Sequence, residues 1–415
     1  MKVKSGKSKV ESRKSKVESM GRKVFGICHF LLLSTLCLSL FTLTGCGLLD
    51  RASSGLPSTD SATQSVTTGT NIVLVGNANW SGGARSISSI LHSETGTINT
   101  SLIADDTGAA FEPGSGINDI QVCDNKAYIV NSTAGTIQII DLNTGEQKEF
   151  NIGSSPEYCV VVSANEVYVD LYYDGQILKL DTTVAESQNP IMDTLTLPTG
   201  SDLSAYNGGS GGYARPWSMR KIGNALYVAL NNLDSSYSPA GPDLAAVVNL
   251  STFSVSKVIA GAGQNMANIY YNSSLNSDDV FLLSSGAYYS NAGLVEIYSL
   301  ASESIVASWN VGGAPTAMAS DSSSRIYIKD DYSNQIKRLD HLTTTFTSFD
   351  QTYTISTSYF GGMIIDDYGY LYIASASKSD YSSDNTVYIY NTNTDAFVQT
   401  VTVGYNPAAM AIWRP

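Results

Sequence analysis

Positive charge is scarce in this sequence after its first 45 residues. Nine of the 24 Lys and Arg residues but only two of the 37 Asp and Glu residues lie in that segment, which leaves 15 basic and 35 acidic side chains and a net charge of −20. A polyanion of this size is repelled by nucleic acid and by anionic lipid headgroups. We therefore expect no nucleic-acid partner and attribute most of the charge to a soluble surface.

Cysteine and histidine are also scarce after residue 45, and helical periodicity is absent. No stretch after residue 45 has a helical period, whereas Tyr, Ser, Thr and Gly are abundant and turns rich in Asn, Asp and Gly recur, which is typical of β-sheet. Besides Cys46, only Cys123 and Cys159 remain, and only two histidines, His92 and His341. So few histidines argue against a Ser-His-Asp centre and against a His-ligated metal site.

The N-terminal segment, residues 1–45, is a predicted export signal. From Met20, the favoured true start, a basic Gly-Arg-Lys stretch precedes an apolar run, Val24–Leu43, and small residues follow it. This order is that of a secretory signal. The run is also nearly long enough to span a bilayer, so a retained membrane anchor is the alternative.

The four residues Leu43–Cys46 resemble the lipobox of bacterial lipoproteins. That resemblance implies acylation of Cys46, an extracytoplasmic location and a membrane partner through the lipid. Gly47 after the cysteine favours the outer membrane if the cell is Gram-negative. Residues 46–70 are rich in Ser, Thr and Gly and form a predicted flexible tether.

An aromatic strand recurs through residues 71–415. Its central positions are spaced 40, 59, 54, 46 and 45 residues apart and are Tyr128, Tyr168, Tyr227, Phe281, Tyr327 and Tyr372. A period near 45 residues with about four short strands indicates the blades of a β-propeller.

The two chain ends complete this repeat. Six full blades fit between residues 116 and 404, and the segment before them supplies only a second, third and fourth strand. The last stretch, NPAAMAIW, matches the Pro-opened first strand of the other blades. The sequence therefore predicts an all-β fold, a seven-bladed β-propeller whose N- and C-terminal strands share one blade and leave no free edge.

The repeat resembles the YVTN-type seven-bladed propellers. Matching stretches are AYIVN followed by IQIIDLNTG, and GGAPTAMASDSSSRIYIKD followed by IKRLDHLTT. The resemblance implies the fold much more firmly than a function.

One face of such a ring, the mouth, carries the loops from second to third strand and from outer to next inner strand. Aromatic residues recur in these loops among Ser, Asn and Gly, as they do in binding surfaces where rigid rings supply contact area. The candidate ligand-binding residues are Trp80, Tyr172, Tyr173, Trp217, Tyr237, Tyr288, Tyr289, Tyr332 and Tyr381. Both histidines are predicted turn residues on the opposite face, and both later cysteines are predicted buried free thiols.

Carboxylates at the mouth are the alternative functional groups, because lactonase-like propellers hold a divalent cation there. The candidates are Asp174, Asp330, Asp331, Asp380 and Asp384. Calcium needs about six to eight converging oxygens, and no single loop has that spacing. We therefore predict no catalytic residue, metal or cofactor.

These patterns favour a lipid-anchored, non-catalytic binding or scaffold module. Its ligand, a small molecule, a glycan or a protein, is not selected by any residue pattern. A cation-dependent hydrolase and a structural role in envelope assembly remain alternatives.

The lipidation prediction has a direct test. The Cys46→Ser chain should lose lipid labelling and stay uncleaved at this site, because the acylated thiol is absent. Metabolic labelling and detergent partitioning measure both. Normal partitioning of the mutant would instead identify the apolar run as the anchor.

Overall fold

The computed structural model describes residues 71–78, 86–92, 98–105, 116–207, 212–287, 290–340, 351–354, 359–376 and 385–415. All of them lie within the unit Asp60–Pro415. They form seven four-stranded antiparallel sheets arranged in a ring, which confirms the predicted β-propeller. No helix among these residues is long and apolar enough to cross a membrane.

Blade 1 consists of β1 (Asn71–Asn77), β2 (Ser86–His92), β3 (Ile98–Asp105) and β28 (Pro407–Trp413). Blade 2 consists of β4 (Ile117–Cys123), β5 (Lys126–Asn131), β6 (Thr136–Asp141) and β7 (Gln147–Asn151), and blade 3 of β8 (Pro156–Ser163), β9 (Glu166–Leu171), β10 (Gln176–Leu180) and β11 (Ile191–Thr196). Blade 4 consists of β12 (Pro216–Ile222), β13 (Ala225–Leu230), β14 (Leu244–Asn249) and β15 (Ser254–Ala260).

Blade 5 consists of β16 (Met266–Tyr270), β17 (Asp279–Ser284), β18 (Leu294–Ser299) and β19 (Ser304–Asn310). Blade 6 consists of β20 (Pro315–Ser320), β21 (Arg325–Asp330), β22 (Gln335–Asp340) and β23 (Gln351–Thr354). Blade 7 consists of β24 (Tyr359–Ile365), β25 (Tyr370–Ala376), β26 (Thr386–Asn391) and β27 (Ala396–Thr402).

The last strand, β28, closes the ring as the sequence predicts. It pairs antiparallel with β1, with Trp413 opposite Ile72 and Met410 opposite Val75. The Trp413 indole Nε1 also donates to Asn125 Oδ1 of blade 2 at 3.0 Å. The C-terminal strand therefore ties the first blade to its neighbour as well as completing it.

The hydrophobic core is divided among the interfaces between blades. Inner strands contact one another in ring order, and each pair of neighbouring blades encloses its own buried cluster. Between blades 1 and 2, for example, Leu74 packs with Ile120 and Ile129. This division explains how a chain too long for one compact core stays folded.

The repeating aromatic residues fill these interfaces, and two of them show how a buried hydroxyl is satisfied. Tyr327 and Tyr372 are fully buried, and each hydroxyl donates to an aspartate in the turn after the inner strand: to Asp321 at 3.0 Å and to Asp366 at 2.9 Å. A buried phenol needs such a partner, since an unsatisfied hydroxyl is costly.

His92 differs from the prediction that it is a turn residue. It is the last residue of β2 and is only 1% exposed. Its Nδ1 lies 2.6 Å from Asp366 Oδ2 in blade 7, beside the Tyr372 hydroxyl. His92 therefore joins blades 1 and 7 on the face opposite the mouth. His341 lies outside the described residues.

One short helix is present, although no stretch after residue 45 has a helical period. It is α1 (Ser201–Asn207), within the insertion between blades 3 and 4. Leu203 anchors it, because that side chain is fully buried with Leu197 in the core between these blades. Cys123 and Cys159 are free thiols as predicted, Cys159 buried and Cys123 partly buried.

Removal of Asn406–Pro415 should destabilise the protein or make it aggregate, because it strips β1 of its partner and exposes an apolar edge. Thermal unfolding and light scattering of the truncated chain measure this. Arg414→Ala is the control, since it breaks only an exposed ion pair with Asp367 and should change stability little. A truncated chain that stays monomeric with an unchanged melting temperature would contradict closure by β28.

Candidate functional site

The mouth loops of blades 3 and 4 bring four of the nine predicted aromatic residues together. Tyr172 and Tyr173 follow β9 directly, Trp217 is the second residue of β12, and Tyr237 lies in the loop after β13. These segments are all at the same end of their antiparallel blades. Topology therefore places the four rings on the same face, the mouth, and within two neighbouring blades.

Three of the rings pack edge to face. The Tyr172 ring lies 5.2 Å from Tyr173 and 5.4 Å from Trp217 between centroids, with interplanar angles of 78° and 73°. Aromatic pairs favour this geometry because the positive edge of one ring meets the negative face of the other. The Tyr172 ring therefore contacts both of the other rings and forms the floor of the group.

Arg215 lies at the centre of the group. Its guanidinium carbon is 3.9 Å from the centroid of the Tyr237 ring, 5.3 Å from that of Tyr213 and 5.7 Å from that of Tyr172. Such distances are typical of cation–π contacts. We call the set the aromatic–arginine cluster; its members are Tyr172, Tyr173, Tyr213, Arg215, Trp217 and Tyr237.

The cluster has a buried floor and an exposed rim. Tyr172 and Arg215 are each 7% exposed. Tyr173, Tyr213 and Tyr237 are about half exposed and Trp217 is 36% exposed. Large exposed rings held over a buried cation form a surface suited to contact with a ligand.

The backbone around the cluster has left-handed residues and is fixed by a backbone hydrogen bond. Arg215 has a φ of +47° and Tyr237 a φ of +62°, in the left-handed region that side chains other than glycine seldom adopt. The Tyr213 N–H donates to the Leu233 carbonyl at 2.8 Å. Gly212 is required beside it, because a Cβ there would lie 2.5 Å from that same carbonyl oxygen.

This packing raises the pKa values of two of the tyrosines. Burial raises the pKa of Tyr172, and the neighbouring Arg215 charge and hydrogen bond offset part of that rise. Burial and a hydrogen bond with Tyr237 raise the pKa of Tyr173 to about 12. Both phenols are therefore neutral near neutral pH and keep a proton to donate.

A buried carboxyl lies next to the floor of the cluster. Glu157, the second residue of β8, is 6% exposed and accepts hydrogen bonds from Ser155 at 3.0 Å, from Ser132 at 3.1 Å and from Asn118. Burial raises its pKa to about 7, and these hydrogen bonds lower it only in part. Since Ser132 and Asn118 belong to blade 2, Glu157 also links two blades at the mouth.

The other predicted mouth aromatics do not join this cluster within the part of the chain that is described. Tyr332 stands on the blade 6 loop, about half exposed, with its N–H donating to Asp330. The remaining predictions lie outside the described residues and are Cys46, Trp80, Tyr288, Tyr289 and Tyr381.

The predicted carboxylates are held by their own neighbours. Asp330 is buried and pairs with Lys337 at 2.7 Å, which together with other hydrogen bonds lowers its pKa against the effect of burial. Asp331 accepts from Thr316 at 2.7 Å.

Asp174 accepts a hydrogen bond from Ser154 at 3.2 Å. Asp380 and Asp384 lie outside the described residues. Across the described ranges, no three His, Cys, Asp or Glu side chains are arranged to hold a metal ion.

Sequence reasoning missed Arg215, Tyr213 and Glu157. Both Arg215 and Tyr213 stand in the stretch GGYARPW, immediately before Trp217. An arginine flanked by aromatic residues and followed by proline was the available signal. Glu157 gave none, because only the fold shows that this acidic residue is buried.

The fold and this cluster define a class: a seven-bladed propeller with an aromatic surface at one side of its mouth. Among the solved structures that match is the crystal structure of selenomethionine-substituted virginiamycin B lyase from Staphylococcus aureus, with a TM-score of 0.53 and 12% identity over 72% of this chain and 90% of that chain. At that identity the likeness shows the fold alone. No protein-family profile and no curated protein matches the chain.

Glu157 should make stability depend on pH. Its pKa is raised in the folded state from an ordinary 4.5 to about 7, so the protonated form stabilises the fold below about pH 4.5 and this contribution is lost as pH rises through 7. The unfolding free energy of Glu157→Gln minus that of wild type should therefore rise by on the order of 2 kcal/mol as the pH is raised from about 5 to about 8.

Urea unfolding at both pH values measures this difference. The control is Glu166→Gln: a hydrogen bond from Tyr168 lowers the pKa of Glu166, so that variant should show no such trend over the same range. An offset between Glu157→Gln and wild type that does not change with pH would show that Glu157 is ionised throughout.

Proposed function

We propose that this chain is a non-catalytic binding or scaffold propeller that recognises a ligand or protein partner through the aromatic–arginine cluster. The observation that carries the proposal is the packing of four predicted mouth aromatics, from two blades, around Tyr172 and Arg215: Tyr173 and Trp217 contact the Tyr172 ring, and Arg215 lies over Tyr172 and Tyr237. Rings of this type supply large apolar contact area with little loss of conformational freedom, which is why they dominate binding surfaces.

The packing of the rings supports binding. Left-handed backbone alone does not, because Ser155, Asn265 and Asn406 adopt the same conformation immediately before other inner strands. Edge-to-face and cation–π contacts hold the half-exposed rings in place. Preorganised contacts of this kind raise affinity because little ordering remains to occur on binding.

The finer parts of the proposal concern the repeat and the membrane. We assign the blades to the YVTN type because the motif residues Tyr128 and Asn131 lie in one buried strand, where Asn131 donates to Thr136 at 3.2 Å. We assign the chain to the extracytoplasmic side of a bacterial membrane, anchored through a lipid on Cys46, because of its lipobox-like sequence. An outer-membrane location follows if the cell is Gram-negative.

Two rival functions make different demands on the same face. The similar solved structure is named a lyase, but propellers of one fold carry unrelated activities. A cation-dependent hydrolase would need several free carboxylates close together, whereas Asp330 pairs with Lys337 and one oxygen of Asp331 accepts a hydrogen bond from Thr316. A structural role in envelope assembly would use the mouth rings too, with a protein as the partner.

Loss of one rim ring should weaken binding. On an array of neutral oligosaccharides, acidic oligosaccharides and peptides, Trp217→Ala and Tyr237→Ala should each reduce affinity about thirtyfold, or about 2 kcal/mol, for whatever the wild-type chain retains. Tyr405→Ala is the matched control, since Tyr405 is also half exposed, in the turn before β28. An equal loss of affinity in all three variants would show that the cluster is not the binding site.

Chelation separates the binding module from the hydrolase. Asp331→Asn and added chelator should each leave binding nearly unchanged, because no cation takes part in ring contacts. Measured on the same array, loss of function with chelator but not with Trp217→Ala would overturn the proposal in favour of the cation-dependent enzyme.

A further inference from the structure

Two acidic side chains are buried together at the mouth end of the interface between blades 4 and 5. Asp243, which precedes β14, is fully buried, and Glu296, the third residue of β18, is 1% exposed. A Cβ at Gly261 would collide with both Asp243 Oδ1 and Glu296 Oε2, so the two oxygens lie against the same point of the backbone. Two carboxylates this close in a buried site cannot both be ionised without a large penalty.

The hydrogen bonds around the pair indicate which group carries a proton. Glu296 Oε2 accepts from the Ala262 N–H at 2.9 Å, and Asp243 Oδ2 accepts from the Ser284 hydroxyl. Asp243 Oδ1, in contrast, is buried and has no hydrogen-bond partner among the described residues. An unpaired buried oxygen is costly, whereas a protonated Oδ1 donates to the neighbouring Glu296 carboxylate and satisfies both groups.

The electrostatics of the pair favour the same protonation state. Burial and the negative charge of Glu296 raise the pKa of Asp243 to about 7, and backbone hydrogen bonds offset only part of that rise. Burial also raises the pKa of Glu296, against backbone hydrogen bonds from Ala262 and Gly263. No basic side chain of the described residues offsets the charge of either acid.

Other ionisable groups of blades 4 and 5 have partners of their own. The basic side chain of Lys257 pairs with Glu303 at 2.9 Å and donates to the Tyr298 hydroxyl at 2.6 Å. Three further groups are engaged away from the pair: Arg220 lies in the field of Asp119, Asp234 accepts from the N–H of Ser236, and Asp278 accepts from the Ser299 hydroxyl. Asp243 and Glu296 therefore have mainly each other to balance.

Asp243 is also the last residue of the loop that carries Tyr237, residues 231–243, which we call the Tyr237 loop. Its N–H donates to the Gly263 carbonyl at 2.9 Å, and its carbonyl accepts from the Gly261 N–H at 3.1 Å. These two bonds and the buried acid fasten the end of the loop to the segment that leads into blade 5.

The same end of the loop is connected to the aromatic–arginine cluster. Asn232 Nδ2 donates to the carbonyl of Pro242, the neighbour of Asp243, at 2.9 Å. Asn232 Oδ1 in turn accepts from the Gly212 N–H at 2.8 Å, and Gly212 adjoins Tyr213. Movement at Asp243 is therefore transmitted to the cluster through two hydrogen bonds.

We propose that Asp243 and Glu296 form a proton-dependent latch, in which one shared proton holds the end of the Tyr237 loop against blade 5. When the latch opens, the Asp243 O–H bond breaks, the proton passes to solvent and both carboxylates become ionised and hydrated. Closing takes the proton up again. A rise in pH therefore favours the open loop, in which Tyr213 and Tyr237 are held less firmly. The latch goes beyond the proposed function and does not depend on which ligand the rings take.

The pH range follows from the two states of Asp243. In the open loop the group should have its ordinary pKa of 3.8, and in the closed latch its pKa is about 7. The protonated latch is fully stabilising below about pH 4, and this contribution is lost as the pH rises through 7. Since one pKa unit is a factor of ten in the equilibrium, the open fraction should increase at least about tenfold between about pH 5 and pH 8.

Amide hydrogen exchange of the full chain in detergent measures this opening. The protection factors of the Asp243 and Gly261 N–H groups, corrected for the intrinsic effect of pH, should fall at least about tenfold over that range. In Asp243→Asn they should not depend on pH, because the amide has the same shape, donates to Glu296 and does not titrate. Asp278→Asn is the matched control: it removes an acid of blade 5 that accepts from Ser299 and should keep the wild-type dependence.

The amides of β21 in blade 6 are the internal reference. If their protection falls as much as that of the Tyr237 loop, the pH effect belongs to the whole fold and the latch is wrong. The same pH dependence in wild type and Asp243→Asn, or none in wild type, would also overturn it. None of these outcomes bears on ligand binding by the rings, which the array measures.

Infrared spectroscopy detects the shared proton directly. At about pH 6 the wild-type chain should show the C=O band of a protonated carboxyl that is missing from Asp243→Asn, whereas ordinary Asp and Glu side chains are ionised at that pH. Identical spectra would show that Asp243 is ionised and would overturn the latch. If Asp243→Asn does not fold, the wild-type exchange data still decide, and Glu296→Gln, which removes the second charge, should move the pH dependence of the loop to lower pH.

Discussion

The pairing of β28 with β1 closes the ring of blades. Without it, blade 1 has three strands, β1 becomes an unpaired inner edge, and the cluster of buried residues that blade 1 shares with blade 2 loses Ala409, Ala411 and Trp413. Each blade has its own four strands but shares its core with two neighbours. Closure therefore stabilises every interface in the ring, including the interface between blades 3 and 4 that holds the aromatic–arginine cluster.

Polar groups at the mouth are buried by the same architecture. Inner strands crowd together at the centre of the ring, so side chains that would be solvated on a flat sheet lose water there. Glu157 illustrates the effect, because burial raises its pKa to about 7 although three groups donate to it. Arg215 is the corresponding case for a basic residue: it is buried, and its guanidinium lies among aromatic rings. A closed ring of small sheets thus supplies both a rigid frame and a low-dielectric mouth.

The fold could be predicted from sequence because its signals are local and repeated. The aromatic strand returns in six of the seven blades, and the unmatched last strand identifies the closing partner, so architecture, closure and the face of each loop follow.

The helix at Ser201–Asn207 could not be predicted, since seven residues carry no useful period and Leu203 alone anchors them. His92 looked like a turn residue because its partner Asp366 is remote in the sequence. At the mouth, the topology placed Tyr172, Trp217 and Tyr237 on one face, but the packing of Tyr172 and Tyr237 against Arg215 depends on loop conformations and side-chain contacts that the local sequence does not reveal.

We infer that this one cluster, rather than any other part of the mouth, is where the protein binds its ligand. The most direct measurement is a crystal structure of the full chain with a compound that it retains on the array. We expect ligand atoms within about 4 Å of the Trp217 or Tyr237 ring. Ligand density over Tyr332 in blade 6, with the aromatic–arginine cluster unoccupied, would contradict this inference.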